Sequence, residues 1–235
     1  MEVKRVETHI PMWIHWLEIC QRHVKAATNA REKSLASRRS GDRKALSDSM
    51  HDEFQSSVQA LSAAAFAMEA FRNALDDLGI VDADTKARWR SQRASAATKV
   101  IDTALAAGDV SRADLAPESV ATIFKYRNSA VHPKVEFREP QLHPVLKMAV
   151  DQSLIIYGLE NGRNALSVAA SVVAFTVLDA HAVDDESARS FAAWRTMLRD
   201  FATEHDLTPN PESRLHALFA TDGDHASPSP KTAAD

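Results

Sequence analysis

Proline is absent from two long stretches of the chain, between Pro11 and Pro117 and between Pro144 and Pro209. Because it lacks an amide proton and clashes with the preceding turn, proline is excluded from helix interiors, so these two stretches are where long helices can run. Glycine is as scarce, with 6 Gly and 9 Pro in 235 residues. That is about half the roughly 12% of average usage. So few turn formers argue against a β-sandwich or a Gly-rich nucleotide-binding α/β fold. The expected fold is all-α.

The apolar periodicity agrees. Thr8 reads as an N-cap for a first helix with Pro11 in its first turn, running to about Ala36; Trp13, Trp16, Leu17, Cys20 and Val24 form its stripe. Ser37 to Arg43, with Gly41, reads as a basic loop. Phe54, Val58, Leu61, Ala65, Met68, Phe71, Leu75 and Leu78 follow steps of three and four up to Gly79, predicting a second helix of about seven turns. Thr85 to Ala107 predicts a third, and one opening around Asp114 to Glu118 should stop at His132, before Pro133. Pro133 to Pro144 reads as a loop. Helix is expected again from Val145 to Leu178, kinked near Asn161-Gly162, and from Asp185 to His205. The organisation expected is one helical domain over 1–206 and a disordered tail over 207–235, rich in Pro, Ser, Thr, Asp and Ala.

Composition excludes several classes of function. The net charge of −4 means that affinity for a polyanion must come from local patches. The single cysteine, Cys20, excludes an internal disulfide and a multi-cysteine zinc site. No Walker loop, dinucleotide glycine motif, H-E-x-x-H or nucleophile elbow occurs. Residues 1–10 lack the apolar centre of a secretory signal, and Ala165 to Leu178 is shorter than the ~20 residues of a membrane span. A cytoplasmic protein with no membrane partner is expected.

What remains is Tyr126 to Pro133, Y-R-N-S-A-V-H-P, at the expected end of a helix. Asn128 and His132, four apart, share a helix face, whereas Arg127 and His132 lie about 140° apart around the axis. The latter two converge only on a ligand beyond the helix terminus, or with the help of a second chain. An imidazole and a guanidinium together suit phosphodiester cleavage without a metal. The imidazole activates a ribose 2′-hydroxyl or protonates the leaving oxygen, and the guanidinium steadies the phosphoryl charge. A two-fold dimer would supply both an acid and a base. Arg and His in a last turn also simply suit the helix dipole, and spacing alone does not separate the two explanations.

The R-N-S-A-V-H-P segment resembles the signature R-[polar]-x-x-x-H of the HEPN superfamily, compact helical bundles of which many members are endoribonucleases. The resemblance spans roughly 54–178. It takes in S-A-A-A-F-A-M-E-A-F with Glu69, then the motif helix, then a helical cover. It implies a homodimeric, metal-independent endoribonuclease without a cofactor, acting on RNA in toxin–antitoxin or phage-defence systems, with an antitoxin or other protein partner. Arg127, Asn128 and His132 would take the catalytic positions. The alternative is a non-catalytic member binding a nucleotide or a protein. Two departures stand out. A glutamate four residues before a Lys-Arg pair is replaced here by Thr122 and Tyr126, and the tyrosine two residues after the histidine in nucleotide-silenced members is Lys134.

Glu69, in an apolar run, needs a partner: an arginine of the motif helix, which it would orient as a supporting residue, or Arg72 or Asn73 in its own helix. Lys125, Lys134 and Arg138 flank the motif and are candidates for phosphate contacts. Arg88, Trp89, Arg90 and Arg93 lie in a run without acidic residues; such a pattern suits an RNA backbone and a stacked base, although a charge run is more often a solvated face. Cys20 and His23 on one helix are too few for a metal site.

Overall fold

The computed structural model describes residues 11–132, 139–205 and 207. Within them eight helices surround one apolar core, with a single two-stranded sheet at the edge. Helices α1 (Met12–Ser40) and α2 (Arg43–Asp77) form a long hairpin. Only Gly41 and Asp42 separate them. Gly41 adopts φ 76°, left-handed backbone that glycine enters without strain, and the Asp42 carboxylate caps α2 by accepting from the Ala45 amide at 3.0 Å. The expected basic loop is therefore mostly helix, because a helix can end in one left-handed residue followed at once by a cap. Pro11 is the N-cap of α1 and not part of its first turn, its backbone being extended at ψ 109°, and Thr8 lies outside the described residues.

Over 60–71, α2 is buried on nearly all sides, packed against α1, α4, α5 and α7. Its expected stripe holds from Leu61 to Leu75. Towards the N-terminus the buried line continues through Ser57, Glu53 and Ser49, not through Phe54 and Val58. The facing positions of α1 explain the polarity. Ser34 donates to Ser49 Oγ at 2.9 Å, and Arg31 pairs with Glu53.

The expected helix over 85–107 is two helices, α3 (Ala83–Gln92) and α4 (Ala96–Ala107). Arg93 turns left-handed at φ 50°, and Ser95 caps α4 by accepting from the Thr98 amide at 3.1 Å. A cap signal inside the run wins over the general helix propensity around it. Gly108 then lets the end of α4 meet the end of α7 backbone to backbone: a Cβ there would lie 1.8 Å from the Asp179 carbonyl oxygen.

Helix α5 (Pro117–Val131) has Pro117 in its first turn and ends with His132 as C-cap, as the sequence predicts. Of the loop expected over Pro133 to Pro144, residues 133–138 lie outside the described residues. After Glu139, the helix expected from Val145 is replaced by a short antiparallel pair, β1 (Gln141–Leu142) with β2 (Ala149–Val150). His143 makes the turn between them. Its amide donates to the Met148 carbonyl at 2.8 Å, and its Nδ1 accepts from the amides of Val145 and Leu146 at 3.2 and 3.1 Å. Two-residue strands are too short to leave an alternation in the sequence. Helix α6 (Gln152–Ile156) follows, then a break at Tyr157-Gly158, and α7 (Leu159–Asp179) runs through Asn161-Gly162 uninterrupted.

Helix α8 (Asp185–Glu204) starts with a capping box between Asp184 and Ser187. It closes the core through Trp194, whose ring packs edge-on against Trp13, Phe71 and Phe191. Apart from Leu207, the tail expected over 207–235 lies outside the described residues. Among the described residues, no helix is long and apolar enough to cross a membrane.

Candidate functional site

Helix α5 carries the motif, and its apolar side fixes how the motif residues point. Val120, Ile123 and Phe124 are buried against α2, α4 and α7. One turn on, Arg127 continues this inward face and meets α2. Its Nη2 donates to Glu69 Oε2 at 2.5 Å, and its Nη1 to Asn128 Oδ1 at 3.1 Å. The guanidinium carbon sits 5.1 Å from the Phe66 ring centre and 5.7 Å from that of Phe124, within the range of cation–π attraction. Of the partners left open for Glu69, the structure selects the motif arginine. Arg72 donates to Asn73 instead, so the two within-helix candidates pair with each other.

The site is an edge rather than a buried core. The Arg127 side chain is 20% exposed and that of Glu69 30%. Asn128 and His132 are exposed. The His132 amide donates to the Asn128 carbonyl at 2.9 Å, closing the helix, and its backbone leaves helical geometry at φ −122°, ψ 65°. A residue before proline is pushed this way, and the ring is thereby placed at the very end of the helix. Among the described residues, no hydrogen bond joins Arg127 to His132. Arg127 is turned towards α2, and His132 stands at the helix terminus. Tyr157 braces the same turn. Its hydroxyl donates to the Tyr126 carbonyl at 3.0 Å, and burial, then the neighbouring Tyr126, push its pKa up.

The outlying candidates are placed as follows. Lys125 is exposed on α5, two residues before Arg127; Lys134 and Arg138 lie outside the described residues. The basic run on α3 does not present the expected aromatic platform. Trp89 is buried, only 5% exposed, and its Nε1 donates to Asp102 Oδ2 at 2.8 Å, so its ring is part of the core and not a platform for a base. Although the run itself holds no acid, neighbouring helices supply some: Lys86 pairs with Asp76 at 2.5 Å and Arg88 with Asp102 at 3.7 Å. Arg90 and Arg93 are exposed.

Cys20 is fully buried, and desolvation pushes its thiol up to about 12, which leaves it an inert packing group. Among the described residues, no three His, Cys, Asp or Glu side chains are grouped so as to hold a metal ion.

One polar cluster was not anticipated. Arg31 and Glu53 are 6% and 4% exposed and joined by two hydrogen bonds, Nε–Oε2 at 2.6 Å and Nη2–Oε1 at 2.5 Å. Glu53 Oε1 also accepts the Leu159 amide at 3.1 Å, satisfying a free N–H in the first turn of α7. His143 is buried beside them; desolvation first, then the Arg31 charge, lower its pKa, against a smaller opposing pull from Glu53. Stepping back by fours from Leu61 on α2 reaches Ser57, Glu53 and Ser49, and this was the signal available in the sequence.

No family model, curated protein or solved structure matches the chain.

Proposed function

We propose that the chain is a metal-independent endoribonuclease of the HEPN type that works as a homodimer on RNA. The observation that carries this reading is the way Glu69 holds Arg127 at the open end of α5. The guanidinium is fixed in direction by a 2.5 Å ion pair, yet the Arg127 side chain remains 20% exposed. Of its five N–H groups two are engaged and that of Nε is buried, which leaves one on each of Nη1 and Nη2 for a phosphoryl oxygen. Preorganised charge of this kind lowers the barrier where negative charge grows on phosphorus.

In this mechanism the His132 imidazole takes the proton of a ribose 2′-hydroxyl while the 2′-oxygen attacks phosphorus. The 5′-oxygen leaves, taking a proton from the second His132 of the dimer, and the products are a 2′,3′-cyclic phosphate and a 5′-hydroxyl. Asn128, bonded to Arg127, orients the pair. Two copies are required because a single imidazole cannot serve as base and acid in one step.

Incubating the purified chain with RNA in the presence of EDTA and determining the end groups tests this directly. Cleavage with cyclic-phosphate ends is expected, falling about 10²–10⁴-fold in His132→Ala and in Arg127→Ala. Helix content should be unchanged in both. Cleavage that persists in both variants, or that requires magnesium, overturns the mechanism. A second reading, a non-catalytic helical module binding a nucleotide or a protein, is favoured by one observation: Arg127 is already paired with a carboxylate and makes no bond to His132. An inactive wild type that still binds RNA or nucleotide would select it.

A further inference from the structure

We propose that the trough between α1, α7 and α8 binds an anionic amphiphile, a medium-chain carboxylate being the chemical class that fits it. The trough arises from side-chain size. α7 presents Ser167, Ala170, Ser171 and Ala174 along one line, and nothing on this line is long enough to fill the space between the flanking helices. At one end α1 and α8 meet through Trp13 and Trp194, with ring centres 6.1 Å apart. Beyond that contact, Val24 on one side and Leu198 and Phe201 on the other become walls around a cavity of about 460 Å³. Small-molecule sites are typically ~300–1,000 Å³, mostly apolar, with a few polar groups that fix orientation.

Here those groups are cations gathered at one end. Arg163 Nη2 donates to Thr28 Oγ1 at 3.2 Å, and Lys25 lies three residues before Thr28 on the same face of α1. Both line the trough, both are exposed, and among the described residues no Asp or Glu lines it. Among the described residues neither comes within ion-pair distance of a carboxylate. An apolar channel with two uncompensated cations at its mouth matches a ligand with a hydrocarbon body and a single anionic head. It does not match a polyanion, which would need basic groups along its whole length. None of these residues lies on α5, so the site stands independently of the cleavage reading.

The experiment is calorimetric titration of the full chain with sodium decanoate and with 1-decanol, its neutral counterpart, both below their aggregation limits. Decanoate is expected to bind one per chain, and decanol roughly tenfold more weakly. The exposed double variant Lys25→Glu/Arg163→Glu should weaken decanoate about tenfold or more while leaving decanol unchanged. Ala170→Trp, which fills the channel, should abolish binding of both. Equal affinity for the two ligands, or no response to charge reversal, overturns the proposal. It also fails if the wild type binds neither ligand but the full-length Leu215→Asp/Leu218→Asp variant binds decanoate, because the chain's own C-terminal segment would then be the occupant. Binding that appears only as a dimer dissociates in sedimentation runs would assign the trough to a second copy and equally refute it.

Discussion

Replacing Glu53 by Gln tests whether the hidden ion pair is the principal lock between the α1–α2 hairpin and α7. Gln keeps the size of the side chain and one acceptor oxygen but removes the charge facing Arg31. Both partners are almost wholly out of water, at 6% and 4% exposure, and their two bonds measure 2.5 and 2.6 Å. Breaking a buried pair by removing one partner typically costs about 3–5 kcal/mol, because the remaining charge is stranded. Glu160 lies 4.0 Å from Arg31 but is 65% exposed, so it offsets only part of this. A cost of about 3 kcal/mol follows, a fifth or more of the ~5–15 kcal/mol that holds a typical domain together. With a urea slope of about 2.5 kcal/mol per molar, the unfolding midpoint should fall by roughly 1.2 M. Far-UV circular dichroism through a urea series measures it. Removing both charges in Arg31→Met/Glu53→Met should cost less than the single change, since only the Leu159 amide is then left unpaired, at about 1–3 kcal/mol. A single variant within about 1 kcal/mol of wild type, or a double variant worse than the single, would refute the reasoning.

Three further outcomes are expected. Because burial and Arg31 lower the His143 pKa, the unfolded chain takes up this proton at higher pH than the folded one. Stability is therefore complete above an ordinary histidine pKa of about 6.5 and declines as pH falls below it, by at most ~1.4 kcal/mol per pH unit from this one group. His143→Asn, which keeps an acceptor near the Nδ1 position, should flatten that slope in urea midpoints taken across the range. Gly108→Ala should cost about 2–3 kcal/mol in thermal or urea unfolding, since its Cβ would collide with backbone that cannot yield like a side chain. Glu69→Gln should cost only about 1 kcal/mol in stability, its pair with Arg127 being partly solvated. The same variant should lower RNA cleavage through loss of Arg127 positioning, read as a fall in turnover with helix content intact.

Much of this fold is written in apolar spacing and in helix ends. The α2 pattern from Leu61 to Leu75, the stop at His132 and the span of α8 all follow from period and proline alone. Where the reading failed, a local signal of a few atoms outweighed the pattern. Ser95 split one expected helix into two, and a turn built on the His143 ring replaced the start of another. Trp89 misled because exposure is a property of tertiary packing. Its neighbours Arg88 and Arg90 are exposed, but one turn of α3 carries the indole inward to Asp102. At the candidate site, the need of Glu69 for a partner was legible, because an acid inside an apolar run must find one, but spacing left Arg127 and the within-helix Arg72 and Asn73 equally open. The relation of Arg127 to His132 was legible only as an angle.

The two glutamates of α2 show why one ion pair can be structural and the other available to a ligand. Glu53 and Glu69 are sixteen residues apart, which on a helix is about 24 Å of rise and about 160° of rotation. They therefore leave α2 in nearly opposite directions, one towards α1 and the start of α7, the other towards the end of α5. At the first, three helices and the His143 turn close over the pair, and a charge sealed this way has no route to an incoming anion. At the second, α5 stops one turn after Arg127, so among the described residues no continuation of that helix covers the guanidinium, and the rings of Phe66 and Phe124 lie against it. The same chemistry thus locks the fold where the helices run on and leaves a poised, accessible cation where one of them ends. Under the proposed function, a phosphate would compete with Glu69 for Arg127 without any helix having to unfold.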